Sequence, residues 1–290
     1  MIYDSPRAWQ EADEKRLLWF GMSGLGKTRA SALLRDAGDW FHYSIDYRIG
    51  TAYMGEHIRD NLKREAMAVP FLAELLRSDS IYLGSNLSFD NLAPLSSYLG
   101  KPGSAALGGL AFAEYMRRQA LHARAEVNAL LDTPSFIARS RDLYGYPHFV
   151  ADTGGSICEV VDPNDPSDAV LTCLANATLM VWIEDDPDHK SDLIARFDRA
   201  PKPMYYRAEM LTPLWEEYLS ENNILEADVQ PDDFVRFAYA RAIHARMPVY
   251  AAMARNWGIR VAATDMTSLR DAADVTALVA EALGRRSQAA

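Results

Sequence analysis

The residues best placed to do chemistry form the segment Gly21-Met22-Ser23-Gly24-Leu25-Gly26-Lys27-Thr28, which matches G-x-x-x-x-G-K-[ST] at every fixed position. Glycines let the backbone fold around an anion, so that successive N–H groups point inward. Lys27 would reach the β- and γ-phosphates of a nucleoside triphosphate, and Thr28 would place its hydroxyl on Mg²⁺. The pattern therefore predicts a P-loop; the alternative is a glycine turn before an ordinary helix. The predicted nucleotide contacts are Gly21, Met22, Ser23, Gly24, Leu25, Gly26, Lys27, Thr28 and Arg29.

Two carboxylates follow apolar segments that read as strands. Asp46 closes the segment 40–46, where it would accept or orient the proton of a reacting hydroxyl. The alternative is a cap on the next helix, since Asp is a favoured N-cap residue. Asp152 closes 148–152 and would hold the metal through water; the alternative is turn chemistry before two glycines.

Two further segments could meet the substrates. The turn Thr153-Gly154-Gly155-Ser156 offers backbone N–H groups to an acceptor. The basic segment 188–207 is predicted to be a lid, in which Arg196 and Arg199 share one helix face and stabilise the charge on a transferring phosphoryl group. The alternative is a solvated helix end, where Arg and Lys are common.

Strands and helices must alternate to position these residues. Strands are predicted at 17–20, 40–46, 148–152, 179–184 and 259–263, and a helix over 27–37. Residues 51–146 form a mostly helical insertion, with a loop over 78–109. This order predicts a single α/β domain over residues 1–290. We expect the three-layer sandwich of P-loop NTPases, with a doubly wound parallel sheet, a helical insertion and a lid.

Composition excludes several classes of protein. The 290 residues are 49% apolar and 24% charged, with a formal net charge of −10, which is typical of a globular protein and argues against non-specific nucleic-acid binding. No apolar run approaches the roughly 20 residues that span a bilayer, and the acidic start is unlike a signal peptide. Two cysteines form no disulfide framework, and the six histidines lack metal-ligand spacing. We therefore expect a cytoplasmic protein that binds neither membranes nor nucleic acid.

Beyond the P-loop, three segments resemble the shikimate kinase group of small-molecule kinases. Ser44-Ile45-Asp46-Tyr47-Arg48-Ile49-Gly50 is similar to that group's D-x-D-x-x-I-E, Thr153-Gly154-Gly155-Ser156 to its T-G-G-G turn, and Arg246-Met247-Pro248-Val249-Tyr250 to its R-x-P-L-Y helix. The resemblance covers about residues 16–58 and 147–283.

The resemblance implies phosphorylation of a small hydroxyl compound with ATP and Mg²⁺. Asp46 would contact the reacting hydroxyl, Gly154 and Gly155 would form the substrate turn, Arg246 would bind a substrate carboxylate, and Arg196 would be the lid arginine. The chain departs from the pattern at Ser44, Gly50 and Ser156 and in its long insertion, so we expect an acceptor other than shikimate.

The leading hypothesis is thus a kinase with MgATP on the P-loop and an acceptor beneath the insertion. Catalysis would consist mainly of positioning and charge stabilisation. A P-loop ATPase or nucleotide-dependent switch acting on a protein partner is the alternative, and nucleotide binding without turnover is a third.

Overall fold

The computed structural model describes residues 1–185 and 189–289, which fold as two compact units. The first unit contains Met1–Ile45, Glu126–Ala200 and Tyr239–Ala290, and the second contains Asp46–Ala125 and Pro201–Ala238. The predicted insertion, 51–146, overlaps the second unit up to residue 125, whereas the remainder belongs to the first unit.

One sheet forms the centre of the first unit. Its five strands are all parallel and lie in the order β2-β3-β1-β4-β5. Nearly continuous apolar runs such as Leu-Leu-Trp-Phe in β1 are expected for strands that are covered on both faces. The strands are β1 (Arg16–Phe20), β2 (Trp40–Ser44), β3 (His148–Asp152), β4 (Leu179–Glu184) and β5 (Gly258–Ala262).

Fourteen α-helices account for most of the rest of the described chain. They are α1 (Pro6–Glu11), α2 (Lys27–Asp36), α3 (Ile45–Arg48), α4 (Gly55–Met67), α5 (Pro70–Arg77), α6 (Ala93–Leu99), α7 (Phe112–Leu131), α8 (Thr133–Asp142), α9 (Ala169–Ala177), α10 (His189–Arg199), α11 (Ala208–Asn222), α12 (Pro231–Trp257), α13 (Ala263–Thr267) and α14 (Ala272–Ala289). None of these helices combines the length and the apolar character needed to cross a bilayer.

Helices cover both faces of the sheet. Helices α2 and α14 pack against each other on one face, and α8 and α9 pack against each other on the other. Helix α2 begins at Lys27 because Gly26 takes the left-handed N-cap conformation, and α9 begins where the Asp168 side chain accepts from the Leu171 N–H. The predicted doubly wound α/β architecture, with a parallel sheet between two layers of helices, is confirmed.

The register of the sheet brings the strand ends to one edge. Asp152 on β3 lies opposite Trp19 on β1 and Ser44 on β2, while Phe20 lies opposite Trp182 on β4. In parallel sheets this carboxyl edge is where ligands bind. The loops after β1 and β3 therefore leave the sheet side by side.

The second strand ends earlier than the sequence predicts. It stops at Ser44, and α3 begins at Ile45, so Asp46 lies in the first turn of a helix and does not close a strand. An acidic side chain suits that position because it faces the positive end of the helix dipole. Asp46 is also the first residue of the second unit.

The second unit is held together by buried polar groups as well as by apolar packing. The Arg118 guanidinium joins three helices, because it donates to Glu114 on its own helix α7, to the Tyr98 carbonyl of α6 and to Asn61 of α4. Gln119 fixes the extended segment after Pro201: its amide accepts from the Tyr206 N–H at 2.9 Å and donates to the Met204 carbonyl at 3.3 Å.

His122 is a packing residue of this unit. Its side chain is buried and its ring stacks on Tyr205 at 4.8 Å between centroids. Burial lowers the pKa of His122 from 6.5 to about 4, because the charged imidazolium loses its hydration. The folded protein therefore holds this ring neutral at pH values where the unfolded chain protonates it.

This difference predicts a loss of stability in acid. As the pH falls from 6.5 to 4, the unfolded state gains a proton that the folded state does not, so His122 should cost about 3 kcal/mol of unfolding free energy over that interval. Urea denaturation of the wild type and of His122→Phe at both pH values measures the difference. Equal pH dependence of the two proteins would contradict a neutral buried His122.

Candidate functional site

The loop from Gly21 to Gly26 depends on backbone conformations that only glycine adopts readily. Gly21, Gly24 and Gly26 have φ values of +134°, +87° and +94°. At Gly21 there is also no room for a side chain, since a Cβ would lie 2.8 Å from the Ile183 carbonyl oxygen. The chain therefore turns sharply between β1 and α2, and Ser23 and Gly24 remain exposed to solvent.

Lys27 is folded back on this loop. Its ammonium donates to the carbonyls of Gly21 at 2.8 Å and Met22 at 2.7 Å, and the residue is only 7% exposed. A buried ammonium requires such partners because desolvation strongly disfavours the charged form. The predicted phosphate-binding cation is thus held at the loop itself.

Thr28, Asp152 and His42 form a chain of polar contacts at the end of β3. The Thr28 hydroxyl donates to Asp152 Oδ2 at 2.8 Å, and His42 Nε2 lies 3.2 Å from Asp152 Oδ1. Asp152 and His42 are both buried. The two predicted metal ligands therefore lie in direct contact, and the sequence analysis missed the histidine that orients the carboxylate from β2.

The Gly154-Gly155 turn lies directly against the P-loop. A Cβ on Gly155 would be 3.1 Å from the Ser23 backbone nitrogen. The Gly155 carbonyl accepts from Arg246 Nη1 at 3.0 Å and from the Tyr250 hydroxyl at 2.7 Å, both on α12. The turn is therefore positioned by a helix more than 90 residues further along the chain.

Glu159, which sequence reasoning overlooked, pairs with Arg246. Its Oε1 atom accepts from Arg246 Nε at 2.6 Å, and the two side chains are 3% and 2% exposed. The guanidinium predicted to bind a substrate carboxylate thus holds a carboxylate of its own chain.

Glu126 is a second overlooked carboxylate. Both of its oxygens lie within 2.9 Å of the Ser156 hydroxyl, and the residue is completely buried. A signal was present in the sequence, since Gln119, His122 and Glu126 recur at helical spacing between buried Tyr115 and Ala129. Polar residues on such a stripe require buried partners.

Cys158 follows this turn closely in the chain and is also buried. Burial raises the pKa of its thiol to about 12, so the reactive thiolate does not form at neutral pH.

A cavity of about 580 Å³ lies at the carboxyl ends of β4 and β5. Trp182 contributes to its wall and also touches the P-loop, because a Cβ on Gly21 would lie 3.2 Å from Trp182 Cδ1. Its size suits a small organic ligand. Further lining residues include Asp185, His244, Met247, Ala262 and Thr264.

The other predicted site residues lie apart from this cluster or outside the described side chains. The Arg29 guanidinium donates to the carbonyls of Met266 and Leu269, so its side chain ties α2 to the segment after β5. Arg199 is exposed at the last residue of α10, and the side chain of Arg196, like residue 188 at the start of the predicted lid, lies outside the described structure.

Comparison with known proteins gives a distant likeness to a solved structure. The sequence matches no protein-family model and no curated protein. Among solved structures, the 1.7 Å crystal structure of shikimate kinase from Bacteroides thetaiotaomicron is similar over 95% of this chain and 97% of that chain, with 14% sequence identity and a TM-score of 0.37.

Gly155→Ala tests the contact between the turn and the P-loop. The added methyl group would press on the Ser23 backbone nitrogen, so we expect at least tenfold weaker binding of MgADP, measured by isothermal titration calorimetry. Gly284→Ala is the matched control, because its Cβ would meet its nearest neighbour at an ordinary 3.5 Å. Unchanged affinity in Gly155→Ala would show that the turn does not influence the loop.

Proposed function

We propose that this protein is an ATP-dependent P-loop phosphotransferase that moves the γ-phosphoryl group to a small hydroxyl-bearing acceptor. The observation that carries the proposal is the arrangement around the loop after β1. A glycine turn with positive φ values, a buried ammonium and a Thr–Asp pair come together at the carboxyl edge of a parallel sheet. These are the recurring parts of phosphoryl-transfer sites.

The residues present fit both ATP and Mg²⁺. Loop N–H groups and the N-terminus of α2 would bind the phosphates, and Lys27 would exchange its carbonyl contacts for phosphate oxygens. Among the side chains that the structure describes, no three His, Cys, Asp or Glu form a metal cage. The Mg²⁺ would therefore be held by Thr28 and, through water, Asp152, together with phosphate oxygens. When bound, the ion neutralises charge that develops on the phosphates.

The cavity beside Trp182 would take the nucleoside. It adjoins the P-loop through Gly21, and its wall combines apolar surface with a few polar groups such as Asp185 and Thr264. A ligand lying there would extend its phosphates toward the loop.

The remaining roles belong to the acceptor. Asp46 would accept or orient the hydroxyl proton, the Gly154-Gly155 turn would contact the acceptor, and Arg196 and Arg199 would stabilise the transferring phosphoryl group from the lid. Arg246 would act on the acceptor by holding the turn.

The direct experiment measures ADP release with and without acceptors. Purified protein with MgATP alone should hydrolyse ATP slowly, and a pool of cellular metabolites should raise ADP release and yield a phosphorylated small molecule, identified by mass spectrometry. Vigorous acceptor-independent turnover would favour the ATPase or switch instead.

Lys27→Ala should lower turnover by about 10²–10³-fold, because one preorganised cation at the developing charge is lost. Steady-state ADP release measures this loss, and a circular dichroism spectrum like that of the wild type shows that the fold is retained. Lys63→Ala is the control, since Lys63 is an exposed lysine of α4. Equal turnover in Lys27→Ala and the wild type would remove Lys27 from the mechanism.

Asp46→Asn should bind MgADP normally but lose acceptor-dependent ADP release, because the amide cannot take the hydroxyl proton. Calorimetry and the ADP assay separate these two effects. Asp90→Asn, at an exposed loop position, should behave like the wild type. Full transfer activity in Asp46→Asn would show that Asp46 has no catalytic role and serves only in the first turn of α3.

A further inference from the structure

The ion pair between Arg246 and Glu159 affects which acceptors the site can bind, according to their charge. Arg246 Nε is 2.6 Å from Glu159 Oε1, and Arg246 Nη1 is 3.0 Å from the Gly155 carbonyl oxygen. Both charged side chains are at least 97% buried. A carboxylate approaching the Nε edge of Arg246 would have to displace Glu159 and leave that carboxylate buried without its cation, which is strongly unfavourable.

The surroundings reinforce this exclusion. Within the described part of the first unit, the buried carboxylates are Glu126, Asp152, Glu159 and Asp185, whereas the buried Lys and Arg side chains are Lys27 and Arg246. Lys27 serves the phosphates in the proposed function. Of these, Glu126 on Ser156 and Glu159 on Arg246 lie at the turn with one guanidinium between them, so negative charge prevails there and disfavours an anionic acceptor.

We propose that Glu159 takes, from within the chain, the place of a substrate carboxylate on Arg246, so that the acceptor is a neutral or cationic hydroxyl compound. This inference rests on the proposed phosphotransfer. Arg246 is then a positioning residue: it acts on the acceptor through the Gly155 carbonyl, and the Tyr250 hydroxyl donates to the same carbonyl at 2.7 Å. The acceptor is then recognised by the Gly154-Gly155 turn and through its own reacting hydroxyl group.

The first test is chemical rescue with formate. Glu159→Ala opens a carboxylate-sized gap beside Arg246, so its melting temperature should fall and then rise saturably with sodium formate at constant ionic strength. Glu159→Gln, which keeps the bulk, and the double variant Glu159→Ala/Arg246→Met should show no saturable rise. A change in general stability alone would not produce this dependence on formate and on Arg246.

The wild type provides the decisive comparison. It should show no saturable response to formate, because Glu159 already occupies Arg246. A saturable response that disappears in Arg246→Met would overturn the proposal. If Glu159→Ala does not fold in chloride, its refolding yield in formate is measured instead, and failure to refold in both salts counts against a carboxylate-accepting gap.

The second test separates acceptors by charge. A deproteinised metabolite extract is passed over a strong anion exchanger at neutral pH, and each fraction is added to wild-type protein with MgATP. Acceptor-dependent ADP release should occur with the flow-through, whereas activity confined to the retained fraction would overturn the acceptor class. Absence of activity in both fractions would count against the phosphotransferase itself, while the formate result would still decide the role of Glu159.

Discussion

The site depends on one backbone constraint, which is the sharp turn between β1 and α2. Its three glycines take positive φ values that other residues adopt only with strain, and at Gly21 the Ile183 carbonyl also leaves no space for a side chain. On its other side the loop touches Gly155 through Ser23. The loop is thus held between the end of β4 and the turn after β3, which restricts its backbone conformation.

Several buried charges around the loop have identified partners. Lys27 bonds to loop carbonyls, the Asp152 carboxylate is shared by Thr28 and His42, and Glu159 pairs with Arg246. Removing one member of such a pair leaves its partner desolvated and uncompensated, which costs far more than a surface ion pair contributes. In the proposed function, these same contacts surround the phosphate, metal and acceptor positions.

Local pattern predicted much of the fold and part of the site. The strands His148–Asp152 and Leu179–Glu184 are observed with the predicted bounds, since apolar runs that are buried on both faces end where a polar residue begins the loop. Strand β2 is shorter than predicted, because Ile45 and Asp46 suit a helix start as well as a strand end. His42, Glu126 and Glu159 were missed as functional candidates, because their partners are distant along the chain. The partners are Asp152, 110 residues from His42, Ser156, 30 residues from Glu126, and Arg246, 87 residues from Glu159.

The sequence by itself determined the P-loop, the parallel α/β class and the acids that follow the strands, because glycine conformation, apolar periodicity and turn chemistry act over a few neighbouring residues. Only the tertiary structure decided how the charges pair. Resemblance assigned Arg246 to a substrate carboxylate, whereas the packing of α12 against the turn after β3 gives it to Glu159. The partner of Arg246 depends on which distant side chains are buried together, and residue spacing along the chain does not determine that.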